Sequence, residues 1–249
     1  MLITFGDSWV YGVGAGYTYD RPVTKEIYES SLDSDEFVNC SFRILLAERM
    51  GLQNINFSRG ASSNQKQFRR ASEYFLRDKN VIKNSIVLWG LTSVYRNEFF
   101  NTKLNDYENF FIPDVTRDIV LSKVLSVRYM SEKVEVEKLY YNIELFNHFF
   151  KSIGIKNYWF NIFNDHDYPN KVDNILFNGN SLLSVLINDY KKNDQYHKSV
   201  WAEATDRKIK TALKNKLVNP ISQHPTKESH SKIANLLYNE LQSSASRNT

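Results

Sequence analysis

Short apolar segments alternate with amphipathic segments along this 249-residue chain, and this alternation constrains the fold more than any other feature. Four apolar runs are typical of buried strands, at residues 1–5, 54–58, 85–90 and 157–163. Between and after these runs, apolar residues recur at steps of three and four, as in helices with one buried face. Such repeats occur at Val38, Phe42, Leu45 and Leu46, at Phe68, Ala71, Tyr74 and Phe75, at Val136, Leu139, Ile143, Phe146, Phe150 and Ile153, and at Ile233, Leu236, Leu237 and Leu241. The alternation predicts a mostly parallel sheet with helices on both faces.

A single domain over residues 1–241 accounts for this pattern. Two inserts interrupt it, at about 101–130 and at 165–223, and stretches of that length are usually functional or carry small elements of their own. A polar tail follows at 242–249, which we expect to fray. No apolar run reaches the roughly 18 to 20 residues that span a bilayer. The first residues read as a strand rather than as a secretion signal, so we expect cytoplasmic synthesis and no membrane partner.

Composition excludes several kinds of site. The single cysteine, Cys40, cannot form an internal disulfide, and five scattered histidines make no metal framework. Neither a Gly-x-Gly-x-x-Gly segment nor a phosphate-binding Gly-Lys-Ser/Thr loop is present, so we expect no metal and no cofactor. The 32 basic and 28 acidic residues are spread along the chain, which argues against a nucleic-acid partner. We expect His166 and His197 to be solvated in polar loops and His230 to hydrogen-bond locally.

Residues that follow the strands are the candidates for chemistry, because ligands of open parallel sheets bind beyond the carboxyl ends of the strands. Gly6-Asp7-Ser8 follows the first strand, Ser58 to Asn64 the second, and Gly90 to Arg96 the third, while His224-Pro225 precedes the last helix. Several of these side chains are equally typical of helix N-caps. In this alternative interpretation, Asp7 or Ser8 caps the next helix, and Ser63 or Asn64 starts the helix that holds Phe68.

Taken together, these blocks resemble the SGNH hydrolase superfamily, also called GDSL-type esterases. Gly6-Asp7-Ser8 matches the first block of that family, and Gly60 to Asn64 resembles its Gly-x-Ser-Asn stretch with one extra residue. His224-Pro225 matches the last block. The resemblance implies a flavodoxin-like three-layer α/β/α sandwich.

The same resemblance implies a catalytic mechanism for a serine esterase that works through an acyl-enzyme. Ser8 would be the nucleophile and His224 the general base. The backbone N–H groups of Ser8 and Gly60 would bind the oxyanion, together with a side chain at Thr92. Asn64 and Arg96 are the further residues that we expect to contact substrate.

Two blocks depart from the family pattern. Thr92 and Ser93 replace the asparagine and the aspartate of the third block, and Ile221 stands where the last block has its aspartate. The imidazole of His224 could instead be oriented by a backbone carbonyl, by Ser222, or by a carboxylate from the second insert. The candidate carboxylates are Asp165, Asp167 and Asp194.

The third block offers alternatives of its own. Gly-Asp-Ser-Trp together with Gly-x-Thr-Ser-x-x-Arg resembles a phage-encoded subgroup of the family, for which Thr92 and Arg96 would be normal. Arg96 could hold an acidic group of the substrate, orient a loop, or pair with Glu98 at the surface.

The substrate class follows from the family and from the aromatic inserts. Segments such as Tyr107–Phe111 offer ring faces that stack on sugars, so we expect an acyl ester, specifically an acetyl ester on carbohydrate. The alternative is a binding or structural module of the same fold that has lost catalysis, such as a virion component.

Overall fold

The computed structural model describes residues 1–20, 38–77, 84–103, 105–111, 131–188, 201–220 and 222–247. The strands are β1 (Leu2–Phe5), β2 (Asn54–Asn56), β3 (Ile86–Leu91), β4 (Arg96–Asn101), β5 (Asp106–Phe111) and β6 (Lys156–Asn161). The central sheet has four parallel strands in the order β2-β1-β3-β6. A separate antiparallel hairpin consists of β4 and β5.

Helices cover both faces of the sheet, as the alternation of apolar runs predicts. Successive strand residues point to opposite faces, so β3 contributes Leu88 to one core and Val87 and Trp89 to the other. The helices are α1 (Ser8–Tyr11), α2 (Phe42–Arg49), α3 (Asn64–Arg77), α4 (Glu132–Ser152), α5 (Leu182–Ile187), α6 (Trp201–Lys214) and α7 (Lys227–Arg247). The first core lies against α2, α5, α6 and α7, and the second against α3 and α4. This confirms the predicted three-layer α/β/α class.

Both inserts contain regular structure that periodicity does not reveal. The part of the first insert that the structure describes completes β4 and forms β5. The second insert holds a 3₁₀ turn at Leu176–Gly179 and the helices α5 and α6. The prediction of a frayed tail from Gln242 is wrong as far as Arg247, because these residues continue α7. None of the described helices is long and apolar enough to cross a membrane.

The strand order sets the position of the candidate site. β2 lies on one side of β1 and β3 on the other, so the chain reverses its direction of winding between β1 and β3. In open α/β sheets, ligands bind at this switch point, beyond the carboxyl ends of the two strands. Gly6-Asp7-Ser8 and Thr92 lie at those ends.

Two glycines hold α1 directly against this edge of the sheet. A Cβ atom added to Gly6 would lie 2.2 Å from Val10 Cγ2, and one added to Gly90 would lie 2.4 Å from the same atom. Neither contact is possible for a real side chain. The glycines therefore let Val10 enter the core between β1 and β3, which fixes the position of the helix that carries Ser8.

We expect Gly90→Ala to lower the free energy of unfolding by about 1–3 kcal/mol, because the added methyl group overpacks the core against Val10. Adding Val10→Ala to Gly90→Ala should recover part of that loss, since it removes the clashing atoms. Gly60→Ala is the control, because a Cβ atom there meets nothing within 4 Å. Urea unfolding of Gly90→Ala, Val10→Ala, the double variant and Gly60→Ala measures the coupling, and strictly additive losses in the double variant would contradict this packing.

Candidate active site

The carboxylate of Asp7 is the centre of the candidate site. It is fully buried and caps α1 by accepting a hydrogen bond from Trp9 N at 2.9 Å. Its other oxygen, Oδ2, accepts from Thr92 Oγ1 at 3.0 Å and from Arg96 Nη1 at 3.0 Å. A buried charge requires such partners. Asp7 therefore joins the carboxyl end of β1 to the end of β3 and the start of β4.

Ser8 is the first residue of α1 and lies directly beside Asp7. Its side chain is half-buried. Ser8 Oγ makes no hydrogen bond to any residue that the structure describes, so the hydroxyl is open to a base or a substrate. The expected helix cap comes from Asp7, and Ser8 is left for another role.

The third block is organised by Asn64 and Asp7. Asn64 Nδ2 donates to Thr92 O at 2.9 Å, and Thr92 N donates to Asn64 Oδ1 at 2.9 Å. The amide of Asn64 is thus engaged with the backbone, and the hydroxyl proton of Thr92 with Asp7. Both side chains are almost fully buried. In this arrangement the single hydroxyl proton of Thr92 is directed to Asp7, so oxyanion binding by Thr92 needs a rearrangement, whereas the amide of Asn64 has a second N–H besides the one that it donates to Thr92 O.

Arg96 pairs with Asp7, not with Glu98. Its guanidinium carbon lies 5.6 Å from the centre of the Phe163 ring, and its side chain is 19% exposed. Glu98 instead forms two hydrogen bonds with Arg69, at 2.8 and 3.0 Å. The surface pairing considered for Arg96 is therefore wrong, and the residue lies at the floor of the crevice.

His224 approaches the site from the segment before α7. That segment is held by a bridge between Val218 and Pro225 and by a hydrogen bond from Asn219 N to His224 O at 2.8 Å. The loop after α1 packs closely on it: a Cβ atom on Gly14 would lie 3.1 Å from His224 Cβ and 2.9 Å from Pro225 O. Gly14 thus lets the histidine approach the helix of Ser8.

Burial lowers the pKa of His224 to about 4, so the imidazole is neutral at neutral pH. The charge of Asp7 and a hydrogen bond with the backbone of Ser222 act in the opposite direction, and the charge of Arg96 again lowers the pKa. The charges of both Asp7 and Arg96 therefore act on the imidazole of His224. The neutral form is the one that accepts a proton.

Among the alternatives left open by the sequence, the backbone of Ser222 is the group whose hydrogen bond raises the pKa of His224, and Ser222 Oγ also accepts from His224 N at 3.4 Å. Asp165 is engaged elsewhere, since its carboxylate lies 3.1 Å from Lys208 Nζ and also accepts from Ser184 Oγ. Asp167 is exposed. Ile221 and Asp194 lie outside the described residues.

Two backbone amides at the crevice are open. Gly60 is exposed, in a turn closed by a hydrogen bond from Ser62 N to Arg59 O at 3.3 Å. Within the described part of the chain, neither Gly60 N–H nor Ser8 N–H donates a hydrogen bond. An oxyanion hole requires donors of this kind that are free and fixed in position.

Two other histidines differ from expectation. His166 is only 9% exposed, so its expected solvation is wrong, and burial lowers its pKa to about 4 although the backbone of Thr92 acts against that shift. His230 does not bond locally, since its Nδ1 accepts from Phe42 N, 188 residues away. His166 is thus a neighbour of the site that its polar sequence context does not reveal.

Comparison with known proteins adds three similar structures. Each alignment covers 97% of this chain. One is a carbohydrate esterase whose active site is described as displaying divergent catalytic and non-catalytic binding functions, at 14% identity, 67% of that chain and a TM-score of 0.45. The second is the psychrotrophic esterase EstA from Pseudoalteromonas sp., at 11% identity, with 96% of that chain covered and a TM-score of 0.43. The third is a lipase/acylhydrolase from Enterococcus faecalis, at 12% identity, with 95% of that chain covered and a TM-score of 0.40. No family model and no curated protein matches the chain. At these identities the likeness is one of fold.

We expect Thr92→Val to lower the free energy of unfolding by about 1–3 kcal/mol, because it removes one donor from a buried carboxylate. Thr92→Ser keeps the hydroxyl and should lose less. Chemical unfolding of both variants at neutral pH provides the comparison. A valine variant as stable as the wild type would show that Asp7 does not need this hydrogen bond.

Proposed function

We propose that the protein is a serine esterase of the SGNH type that cleaves acyl esters through Ser8 and His224. The observation that supports this proposal is that Ser8 follows the buried Asp7 at the switch point of the sheet, while the charge of the same Asp7 acts on the neutral imidazole of His224. Ser8 stands beside a carboxylate whose partners are already fixed, so the neighbouring charge of Asp7 is compensated by Arg96. The hydroxyl of Ser8 makes no hydrogen bond to the residues that the structure describes.

In the proposed reaction, His224 takes the proton of Ser8 Oγ as that oxygen attacks the ester carbonyl. The N–H groups of Ser8 and Gly60 stabilise the oxyanion of the tetrahedral intermediate. His224 then returns the proton to the leaving alcohol, which leaves an acyl group on Ser8. Water, activated by the same histidine, releases the acid and restores the enzyme.

In the proposed mechanism, a hydrogen bond with the backbone of Ser222 orients the imidazole of His224 in place of the carboxylate of a full triad. A backbone carbonyl fixes the imidazole tautomer, but it carries no charge to stabilise the imidazolium that forms. Loss of the triad carboxylate costs roughly 10⁴ in kcat in a known serine protease, largely because the tautomer is wrong. With the tautomer fixed, we expect a slow but measurable enzyme.

An acetyl ester on carbohydrate remains our proposal for the substrate. Phe100 and Tyr107 support it, since they are 50% and 41% exposed on the hairpin that begins at Arg96. Their rings meet edge to face at 5.2 Å. One face of Tyr107 is covered by the guanidinium of Arg69 at 4.4 Å, which leaves Phe100 as the more open platform.

The second candidate is a binding module of the same fold without turnover. The observation in its favour is that Thr92 and Ile221 stand where the family pattern has its asparagine and its last aspartate. In this case the crevice would hold an ester or its product without cleaving it.

A fluorophosphonate probe separates the two candidates, because it reacts only with an activated serine. We expect wild-type protein to gain one adduct at Ser8, located by peptide mass spectrometry, and Ser8→Ala to gain none. Wild type should also hydrolyse 4-nitrophenyl acetate above the rate of Ser8→Ala. Absence of both signals in folded wild-type protein would contradict the esterase and favour the binding module.

The pH dependence of kcat/KM tests the role of His224. Because burial lowers the pKa of His224 to about 4, its neutral form persists in mildly acidic solution. Activity should therefore rise through an acid limb centred near pH 4 and stay flat between about pH 6 and 8. The rate of Ser8→Ala is subtracted as background. An acid limb near the ordinary histidine value of about 6.5 would contradict the burial of the base.

A further inference from the structure

Arg59 lies beside the nucleophile and is not used in the proposed reaction. Its backbone N–H donates to Gly6 O at 3.2 Å, which fixes the residue next to the first block. Its guanidinium carbon lies 5.6 Å from the centre of the Tyr11 ring. Tyr11 is three residues after Ser8 in α1, so the two side chains lie on one face of the helix. The Tyr11 ring therefore links Arg59 to the face of α1 that carries Ser8.

The positive charge of Arg59 is not neutralised locally. It is an exposed residue, and no carboxylate among the described residues pairs with it. The guanidinium carbon of Arg43 lies 5.9 Å from the centre of the same Tyr11 ring. Burial is the main reason that the pKa values of Arg43 and Arg70 are lowered, and the charge of Arg59 lowers each of them further. Those two arginines are already engaged, Arg43 with Tyr11 O and Asn54 Oδ1 and Arg70 with Phe57 O. Of the three neighbouring guanidinium groups, that of Arg59 is therefore the one that is available to a ligand.

The groups on the other side of Ser8 do not neutralise Arg59. The charge of Asp7 is balanced by Arg96, and His224 is neutral. Of the four side chains Asp7, Arg96, His224 and Arg59, Arg59 is the one whose charge is left uncompensated. Since like charges destabilise one another, the cluster of three guanidinium groups around Arg59 is costly unless an anion joins it.

From this arrangement we propose that the ester cleaved at Ser8 carries an anionic group, which Arg59 binds beside the Tyr11 ring. The inference rests on the proposed function and narrows its substrate class to acidic esters. A carboxylate is the simplest such group, because the planar guanidinium fork donates two parallel hydrogen bonds to it. The anion belongs either to the alcohol, which keeps the acetyl ester proposed above, or to the acyl group, in which case an acidic acyl group replaces the acetyl group.

Matched pairs of esters, which differ only in one charge, test the proposal. For the acyl side the pair is 4-nitrophenyl hydrogen adipate and its methyl ester. For the alcohol side it is 4-acetoxybenzoate and its methyl ester. We expect kcat/KM of wild type to favour the charged member of one pair by about tenfold or more, the effect of one charge-assisted hydrogen bond. About 1 M sodium chloride should reduce the preference, since it shortens the Debye length to about 3 Å.

Arg59→Gln should abolish this preference through a higher KM for the charged ester, with kcat nearly unchanged, because the anion is held alike in the ground state and the transition state. Activity on the neutral ester should persist. Arg77→Gln is the matched control, an exposed arginine at the end of α3. Wild type without preference in either pair would overturn the proposal, and so would a preference that survives in Arg59→Gln.

Binding to Ser8→Ala separates this inference from the esterase itself. Calorimetry with the intact charged and neutral esters reports affinity whether or not the wild type turns them over. We expect the charged member to bind about tenfold more tightly, and Arg59→Gln in the Ser8→Ala background to remove the difference. Charge-selective binding without wild-type turnover would contradict the proposed function alone. Equal affinity for both members would overturn the inference alone.

Discussion

The buried carboxylate of Asp7 is the interaction on which the rest of the site depends. A charge with no exposure to water must be compensated within the protein, and here one carboxylate binds the first turn of α1, the hydroxyl of Thr92 and the guanidinium of Arg96. These contacts tie three separate parts of the chain to one point. Ser8, the proposed nucleophile, is therefore positioned by a residue that takes no part in the proposed reaction, and Arg96 is held at the crevice because it neutralises Asp7.

The fold supplies the place for this arrangement and the packing that fixes it. The sheet reverses its winding between β1 and β3, so the residues after both strands face a common crevice. Gly6 and Gly90 admit Val10 between these strands, and Gly14 admits His224. The backbone at Gly14, near the start of the chain, thus packs closely against His224 and Pro225, near its end. His224 is confined by its close approach to Gly14 and by the segment that holds Asn219 and Pro225, so its position does not depend on a triad carboxylate.

Much of the architecture could be predicted from sequence because burial on both faces leaves a strong periodic signal. The four apolar runs became the four parallel strands with shifts of one or two residues at their ends, and the long repeat from Val136 became α4. The hairpin at β4 and β5 could not be predicted, since its mixed residues follow no clear alternation. The tail after Gln242 was mistaken for a frayed end, because its polar composition hides the fact that it extends a helix anchored by Leu241.

The sequence by itself determined the class of fold and the positions of Ser8 and His224 as candidates, because short motifs after strands need only local order to be recognised. The tertiary structure decided the partners. Thr92 donates to Asp7 across 85 residues, and Arg96 pairs with the same carboxylate across 89. Hydrogen bonds and charges act over a few ångströms, whereas sequence gives only the order of residues. Which carboxylate Arg96 neutralises, which group faces His224, and which arginine stays open beside Ser8 therefore became visible only after the strands were placed side by side.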